Sequence, residues 1–481
     1  MIIGTRRYAA FLAMLACSAS ACAQTAVPAA PVAAAPEAAA SGTVESLALR
    51  ADAAIRQAMA DGPFPGVSVA VARDGQIIYA RGMGLADRES GAPVTPQTRF
   101  PIGSITKPVT CLSTLQLVGQ GKVALDAPVG TYLPDLPAPS RDVTIRQLAE
   151  HTSGIPNYLE NREFPYSNPV DLTREKMLGY FADKPLMFAP GAKFNYSNSD
   201  TFLLGLVIEA VTGQSYDRYV ADHVFAPFGM AQADFGADPD HASGYLARGG
   251  EFAPAPAYDW LAPFSAGAIV STAQDLVRFS DGLFGNATPE AVRALALSGD
   301  ALSDGGANAY LQGCLIEGDL DGRRKLSHPG SIYGFSSHFA YYPDDHLTVV
   351  VLTNSQGRNF PALTLEHRIA RIFLGLPEPD LSGVAFDPAE AAWIAGNYDI
   401  TTHRLGFDRL GFAAKEGGLY LSFGGVDSGA PPIALIALGA GRYASSIDTE
   451  QRFAFSRQPD GTVALSMRYY DGDFPMVKAA Q

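Results

Sequence analysis

The sequence predicts an α/β fold of the α+β kind: a mainly antiparallel sheet flanked by helices, with a helical lobe inserted and a small all-β barrel-like domain appended. Two patterns predict it. Strand-like runs occur near both ends of residues 45–378, while the stretch between them is mostly helix and loop, so one sheet must be assembled from both ends. After residue 385 the pattern changes to short alternating runs, "LYLSF", "ALIAL", "RFAFSR" and "VALSMRYY", separated by Gly, Asp and Pro.

The elements follow in order. Residues 1–23 read as a secretory leader: Arg6 and Arg7, a short apolar run from Tyr8 to Ala16, then small residues in "CSASACAQ". The apolar run is shorter than the roughly 18 residues a spanning helix needs. Cleavage after Ala23 or after Ala21 fits the small-x-small pattern, and Arg6-Arg7 raises twin-arginine export as an alternative. A periplasmic or secreted location follows. Membrane association is expected only if Cys17 or Cys22 of the leader is lipidated. Residues 24–44 are an Ala/Pro-rich linker. Residues 46–60 form an amphipathic helix, and "GVSVAVARDGQIIYARGMG" a hairpin turning at Asp74-Gly75. "STAQDLVRF" starts a helix with Ser271 as N-cap and Asp275 in the first turn. Strands return over 309–354, and a helix over 361–374 closes the domain. The all-β unit occupies 385–481.

Composition limits the function. With 47% hydrophobic and 17% charged residues, the chain can bury a large core. A net charge of −14 excludes a non-specific nucleic-acid binder, which needs a basic footprint. The expected partner is a small-molecule or peptide substrate. Histidines lack H-x-H or H-E-x-x-H spacing, and no G-x-x-x-x-G-K-[ST] occurs, so neither a metal nor a nucleotide cofactor is expected. G-x-S-x-G is also missing, which disfavours an α/β-hydrolase. Only Cys111 and Cys314 lie beyond the leader. They can pair in an oxidising compartment, but Cys111, on the Ser104 helix face, reads as a small buried hydrophobe.

Chemistry first appears in "GSITKPVT". Lys107 alone among the 8 lysines has a serine three residues before it. Residues i and i+3 share a helix face, so Lys107 can reach the Ser104 oxygen. A serine hydroxyl needs an adjacent base, and an amine serves only after losing its charge through burial or a cationic neighbour. Pro108 fits a first helical turn, where a missing N–H costs little. A lone S-x-x-K is weak, since chance supplies about one in every two such chains.

Two further elements strengthen it. Tyr196-Ser197-Asn198 follows a Pro-Gly turn and abuts an apolar helix; a phenol can relay protons and an asparagine amide can hold a substrate carbonyl. The same letters at Tyr166-Ser167-Asn168 sit between prolines and read as loop. "LSHPGSIYGF" then places His328 and Gly330 at a strand end. There the N–H of Ser331, with that of Ser104, can form an oxyanion hole. His151 and Ser153, in "EHTSGIPNY", read as a structural histidine and a turn serine.

The three elements, in this order, resemble the serine β-lactamase and penicillin-binding-protein superfamily, in particular its class C and D-alanyl-D-alanine carboxypeptidase branch. That family carries S-x-x-K, Y-x-N and K-T-G or H-x-G, and the likeness covers residues 45–375. "EHTSGIPNY" and "VVVLTNS" resemble stretches common in the same family. The resemblance implies a β-lactamase/transpeptidase-like fold and an acyl-enzyme on Ser104. Lys107 and Tyr196 would share the base role, Asn198 would position the substrate, and His328 and Gly330 would line the far wall. The S-x-x-K chemistry, a serine nucleophile with a lysine beside it, is likewise what the resemblance implies. Class C β-lactamases usually carry lysine where His328 stands. Histidine there resembles the carboxypeptidases, D-aminopeptidases and related esterases. The last 90 or so residues resemble the lipocalin-like domains appended to some of these hydrolases. The function implied is hydrolysis of an amide, peptide or ester. The alternative is a penicillin-binding or sensor module that acylates with little turnover.

Overall fold

The computed structural model describes residues 43–479 except 63, 166–170, 237–239, 249–250, 304, 307, 309, 357–360, 401–408, 416, 448 and 470–471. The leader, all but the last two residues of the linker, and the Tyr166-Ser167-Asn168 copy lie outside the described residues. No described helix is long and apolar enough to cross a membrane.

Both ends of the first domain do build one sheet. Its eight strands run, from edge to edge, Ala92–Pro93, Gln76–Asp87, Gly66–Arg73, Leu347–Thr353, Phe335–Tyr342, Arg323–Ile332, Leu315–Leu320 and Tyr310–Leu311. The joint is the antiparallel pair of Gly66–Arg73 with Leu347–Thr353, in register Val69↔Val351. The hairpin turns at Asp74 and Gly75, whose φ angles of 51° and 73° suit the right-handed twist of the flanking strands.

Period-2 alternation gives the sheet two buried faces. Val67, Val69, Val71, Val349 and Val351 pack with Ile55, Leu365, Ile369 and Phe373 from the terminal helices Val44–Asp61 and Pro361–Leu374. Ala70, Ala72, Val350 and Leu352 join the second core, which includes Leu276 and Phe279 of the helix Ala273–Phe284. That helix is capped by Thr272, not Ser271: Thr272 Oγ1 accepts the Asp275 N–H at 3.0 Å, while Ser271 ends the strand Ile269–Ser271.

The C-terminal segment is a closed barrel of eight strands from Gly396–Ile400 to Gly472–Lys478, each paired with its chain neighbour and the last with the first. Alternate residues fill its interior, among them Tyr398, Phe412, Leu421, Phe453, Phe455 and Met467. Polar clamps tie it to the first domain. Arg371 donates to both carboxylate oxygens of Glu450 at 3.0 Å, and Arg468 donates to Asp319 Oδ1 at 2.6 Å.

Candidate active site

Ser104 sits in a 3-10 turn, Gly103–Ile105, that runs directly into the helix Thr106–Gly119. First-turn N–H groups have no intrahelical acceptor, so this start leaves donors beside the serine oxygen. A second, three-stranded sheet fixes the turn. Phe100–Pro101 pairs with Ile269–Ser271, and the Ile102 N–H donates to Ile269 O at 3.0 Å. This pairing brings the helical turn Phe264–Gly267 against the serine turn, although it is remote in sequence.

Lys107 is fully buried in the first turn of the serine helix. Its Nζ lies 3.0 Å from Ser104 Oγ, 2.7 Å from Asn198 Oδ1 and 2.8 Å from Ala266 O. No carboxylate lies within ion-pair distance of it among the described residues. Burial therefore pushes its pKa well below the usual lysine range. A neutral amine has two N–H donors and one lone pair. The two carbonyl oxygens take the donors, and the lone pair is left for the Ser104 hydroxyl.

Tyr196 and Asn198 reach the same point. Ser197 is the N-cap of the helix Asn198–Thr212, so Asn198 enters on its first turn. Asn198 Nδ2 donates to Asn157 Oδ1 at 3.3 Å. The Tyr196 ring centroid is 4.8 Å from Lys107 Nζ. Its buried hydroxyl makes no hydrogen bond of normal geometry. Burial raises the phenol's pKa, and the nearby Ser104 hydroxyl partly opposes that rise.

The far side is the strand Arg323–Ile332. The neighbouring strand Leu315–Leu320 pairs only with residues 323–327, so the later residues have one edge without a strand partner. Against this edge lies Gly103, at φ 53°, where a Cβ would stand 2.9 Å from Ser331 N. Glycine is thus required at 103 by both conformation and space. The contact puts the Ser331 backbone beside Ser104.

His328 and Gly330 do not line the cavity, contrary to expectation. His328 is fully buried; Nδ1 donates to Pro329 O at 2.6 Å and Nε2 lies 3.0 Å from the Tyr310 hydroxyl. Burial lowers its pKa. Gly330 instead supplies clearance, because a Cβ there would lie 2.0 Å from Ile102 O. The lining beside Ser104, Asn198 and Ser331 is largely aromatic and apolar: Tyr158, Phe164, Tyr258, Pro263, Ile332 and Tyr333. The cavity encloses about 600 Å³ including its solvent-filled mouth, and none of its described lining residues is charged. No group of His, Cys, Asp or Glu among the described residues is placed to hold a metal.

Cys111 is not a simple buried hydrophobe. It forms a disulfide with Cys314, across 203 residues, joining the serine helix to the turn between Tyr310–Leu311 and Leu315–Leu320.

Residues 51–373 match the family described as Beta-lactamase. The chain belongs to the beta-lactamase family. Within it, the chain is 40% identical over 210 residues to Esterase EstB of Burkholderia gladioli, a match covering 40% of this chain and 53% of that protein. It is 30% identical over 348 residues to the D-aminopeptidase of Brucella anthropi, covering 70% of this chain and 64% of the relative. The chain thus spans less than two thirds of the length of either. Among solved structures of this family's fold, the octameric penicillin-binding protein homologue from Pyrococcus abyssi superposes with a TM-score of 0.63 at 26% identity. That superposition covers 89% of this chain and 99% of the other.

Of the residues singled out in the sequence, the structure gathers Ser104, Lys107, Tyr196, Asn198 and Ser331. Sequence reasoning missed the Ala266 carbonyl, which carries no side-chain signal. It also missed Asn157, Tyr158 and Gln356, although two of these lie in the quoted "EHTSGIPNY" and the third directly follows "VVVLTNS". Gln356 Nε2 donates to Ser331 Oγ at 3.0 Å.

Proposed function

We propose that the protein is an extracytoplasmic serine hydrolase that cleaves uncharged, largely apolar esters or amides through an acyl-enzyme on Ser104. One observation carries this reading: a fully buried lysine amine 3.0 Å from a serine oxygen, with only neutral acceptors around it among the described residues. As Ser104 Oγ bonds to the substrate carbonyl carbon, Lys107 Nζ takes the hydroxyl proton. The carbonyl π pair moves onto oxygen, facing the N–H groups of Ser104 and Ser331. Collapse expels the alcohol or amine, which receives that proton through the Tyr196 hydroxyl. The acyl group stays on Oγ until water repeats the sequence and leaves as the acid.

The lining supports the substrate class. Among the described lining residues a terminal carboxylate, as in a D-Ala-D-Ala peptide, meets no cation, and the ammonium of a D-amino-acid amide meets no anion. The disulfide supports an oxidising setting outside the cytoplasm.

A substrate panel tests the reading: p-nitrophenyl butyrate, a D-amino-acid p-nitroanilide, an acetylated D-Ala-D-Ala peptide and nitrocefin. We expect the highest kcat/KM on the ester and no turnover by Ser104→Ala, which loses one hydroxyl and keeps the fold. Turnover by Ser104→Ala ends the assignment. A preference for the D-Ala-D-Ala peptide ends the substrate class. A stable penicillin adduct without ester turnover makes the protein a sensor instead.

A further inference from the structure

Behind Tyr196 lies a second polar cluster that the proposed chemistry does not use. His151 follows the short helix Ile145–Ala149 and is held at φ 54°, a conformation uncommon outside glycine. Such strain persists only where the surroundings enforce it. The side chain is fully buried, with Nδ1 3.0 Å from Asp200 Oδ2. Asp200, also fully buried, belongs to the helix that begins at Asn198. Its Oδ1 accepts from Ser153 Oγ at 2.6 Å, and that Oγ accepts the Ile155 N–H at 2.9 Å.

His151 meets the tyrosine segment on both sides of Tyr196. Its carbonyl accepts the Asn195 N–H at 2.8 Å, and its Nδ1 lies 3.4 Å from Ser197 N. Between these contacts its ring lies against Tyr196, centroid to centroid 4.6 Å. Nε2 is buried without a hydrogen-bond partner. A histidine kept only for packing would not need a buried carboxylate, itself tethered by a serine, to fix its ring. Burial lowers the His151 pKa and raises that of Asp200, with the Ser153 hydrogen bond opposing the second shift. The pair is therefore uncharged overall and leaves Lys107 free of an anion.

We propose that His151, fixed by Asp200 and Ser153, is the positioning residue for Tyr196, setting its phenol against the Ser104–Lys107 pair. This rests on the reading that Tyr196 relays the proton. His151 is not among the cavity's lining residues, so its effect on turnover must pass through the residues it holds, and the ring against its own is that of Tyr196.

A double-mutant cycle tests that route, with p-nitrophenyl butyrate as substrate and wild type, His151→Ala, Tyr196→Phe and the double variant as proteins. His151→Ala should lower kcat about 10- to 100-fold, the range seen when a supporting partner is lost. KM should stay within about twofold. The double variant should be no slower than Tyr196→Phe alone, within about twofold, because the hydroxyl being positioned is already gone. Losses that multiply, or an unchanged kcat in His151→Ala, overturn the proposal. If His151→Ala does not fold, Ser153→Ala gives the same cycle with a smaller step: non-additive with Tyr196→Phe if the clamp is real, multiplicative or silent if it is not. Wild-type kcat in Tyr196→Phe alone would sink the relay reading itself, which keeps the two failures apart.

Discussion

Two lysines in this protein are equally buried and differently partnered. Lys107 faces a hydroxyl and two carbonyl oxygens. Lys325, on the strand that ends at Ile332, lies 3.0 Å from Glu366 Oε2 and 2.8 Å from His367 Nε2. Glu366 also accepts the Tyr342 hydroxyl at 2.9 Å and lies 3.3 Å from His338 Nδ1. Burial works to raise the Glu366 pKa, yet Lys325 and then His338 bring it to about 2. The carboxylate is thus ionised, and the lysine facing it is an ammonium. An opposite charge at about 4 Å gains about 4 kcal/mol at an effective dielectric near 20, or about three pKa units. That rivals the 3–5 or so units that burial alone can impose. Burial does not make a lysine a base. Burial without a carboxylate does.

The sharpest way to break this comparison is to forbid Lys107 its neutral form. Lys107→Arg keeps a cation at every accessible pH. Ester kcat/KM should fall on the order of 10³-fold or more, within the range expected for a lost general base. Circular dichroism should show the fold retained. A loss under tenfold would mean that the base is elsewhere. Next in size is the partnered lysine. Glu366→Gln strands the Lys325 ammonium in the core and should cost about 3–5 kcal/mol in urea unfolding. Turnover per folded molecule should be unchanged, because the cluster lies among residues packed against the terminal helices, away from Ser104. A stability loss below about 1 kcal/mol would show that this carboxylate does not hold the charge.

The contrast also explains what could be read from the sequence. The split sheet was legible because strand alternation and helix periodicity are local signals, and both ends of the domain carried them. Ser104 and Lys107 were legible because they sit one helical turn apart. Asp74-Gly75 marked its hairpin because so few dipeptides accept positive φ. The missing carboxylate around Lys107 was not legible, since a sequence lists residues but not the distances between them. Ala266 reaches Lys107 only because Phe100–Pro101 pairs with Ile269–Ser271, and the Cys111–Cys314 bond closes 203 residues. His328 misled for the same reason: a residue at a strand end can face the cavity or the core, and Tyr310 and the Pro329 carbonyl hold it in the core. Ser271 lost the cap to Thr272 because the strand continues one residue further than the turn chemistry indicated.

The smallest expected effect is a pH dependence that separates the two lysines. Neutral Lys107 is the base, so kcat/KM should fall about tenfold for each pH unit below its depressed pKa. The residues facing it, Tyr196, His151 and His328, are uncharged by burial and do not mask that slope. On stability the lowered folded pKa has a definite sign. Between that pKa and the ordinary value of 10.5, the unfolded chain holds a proton that the folded one lacks, so this group's contribution rises with pH. Glu366 works at the other end. Its contribution is full above pH 4.5 and is lost as pH falls through about 2. Activity should therefore vanish on acidification while the protein is still folded, and the Glu366 step in the melting temperature should follow only at lower pH, near 2. Wild type minus Glu366→Gln should isolate that second step. If activity instead stays flat down to the pH of unfolding, Lys107 carries no titrating role, and the two buried lysines differ in surroundings but not in function.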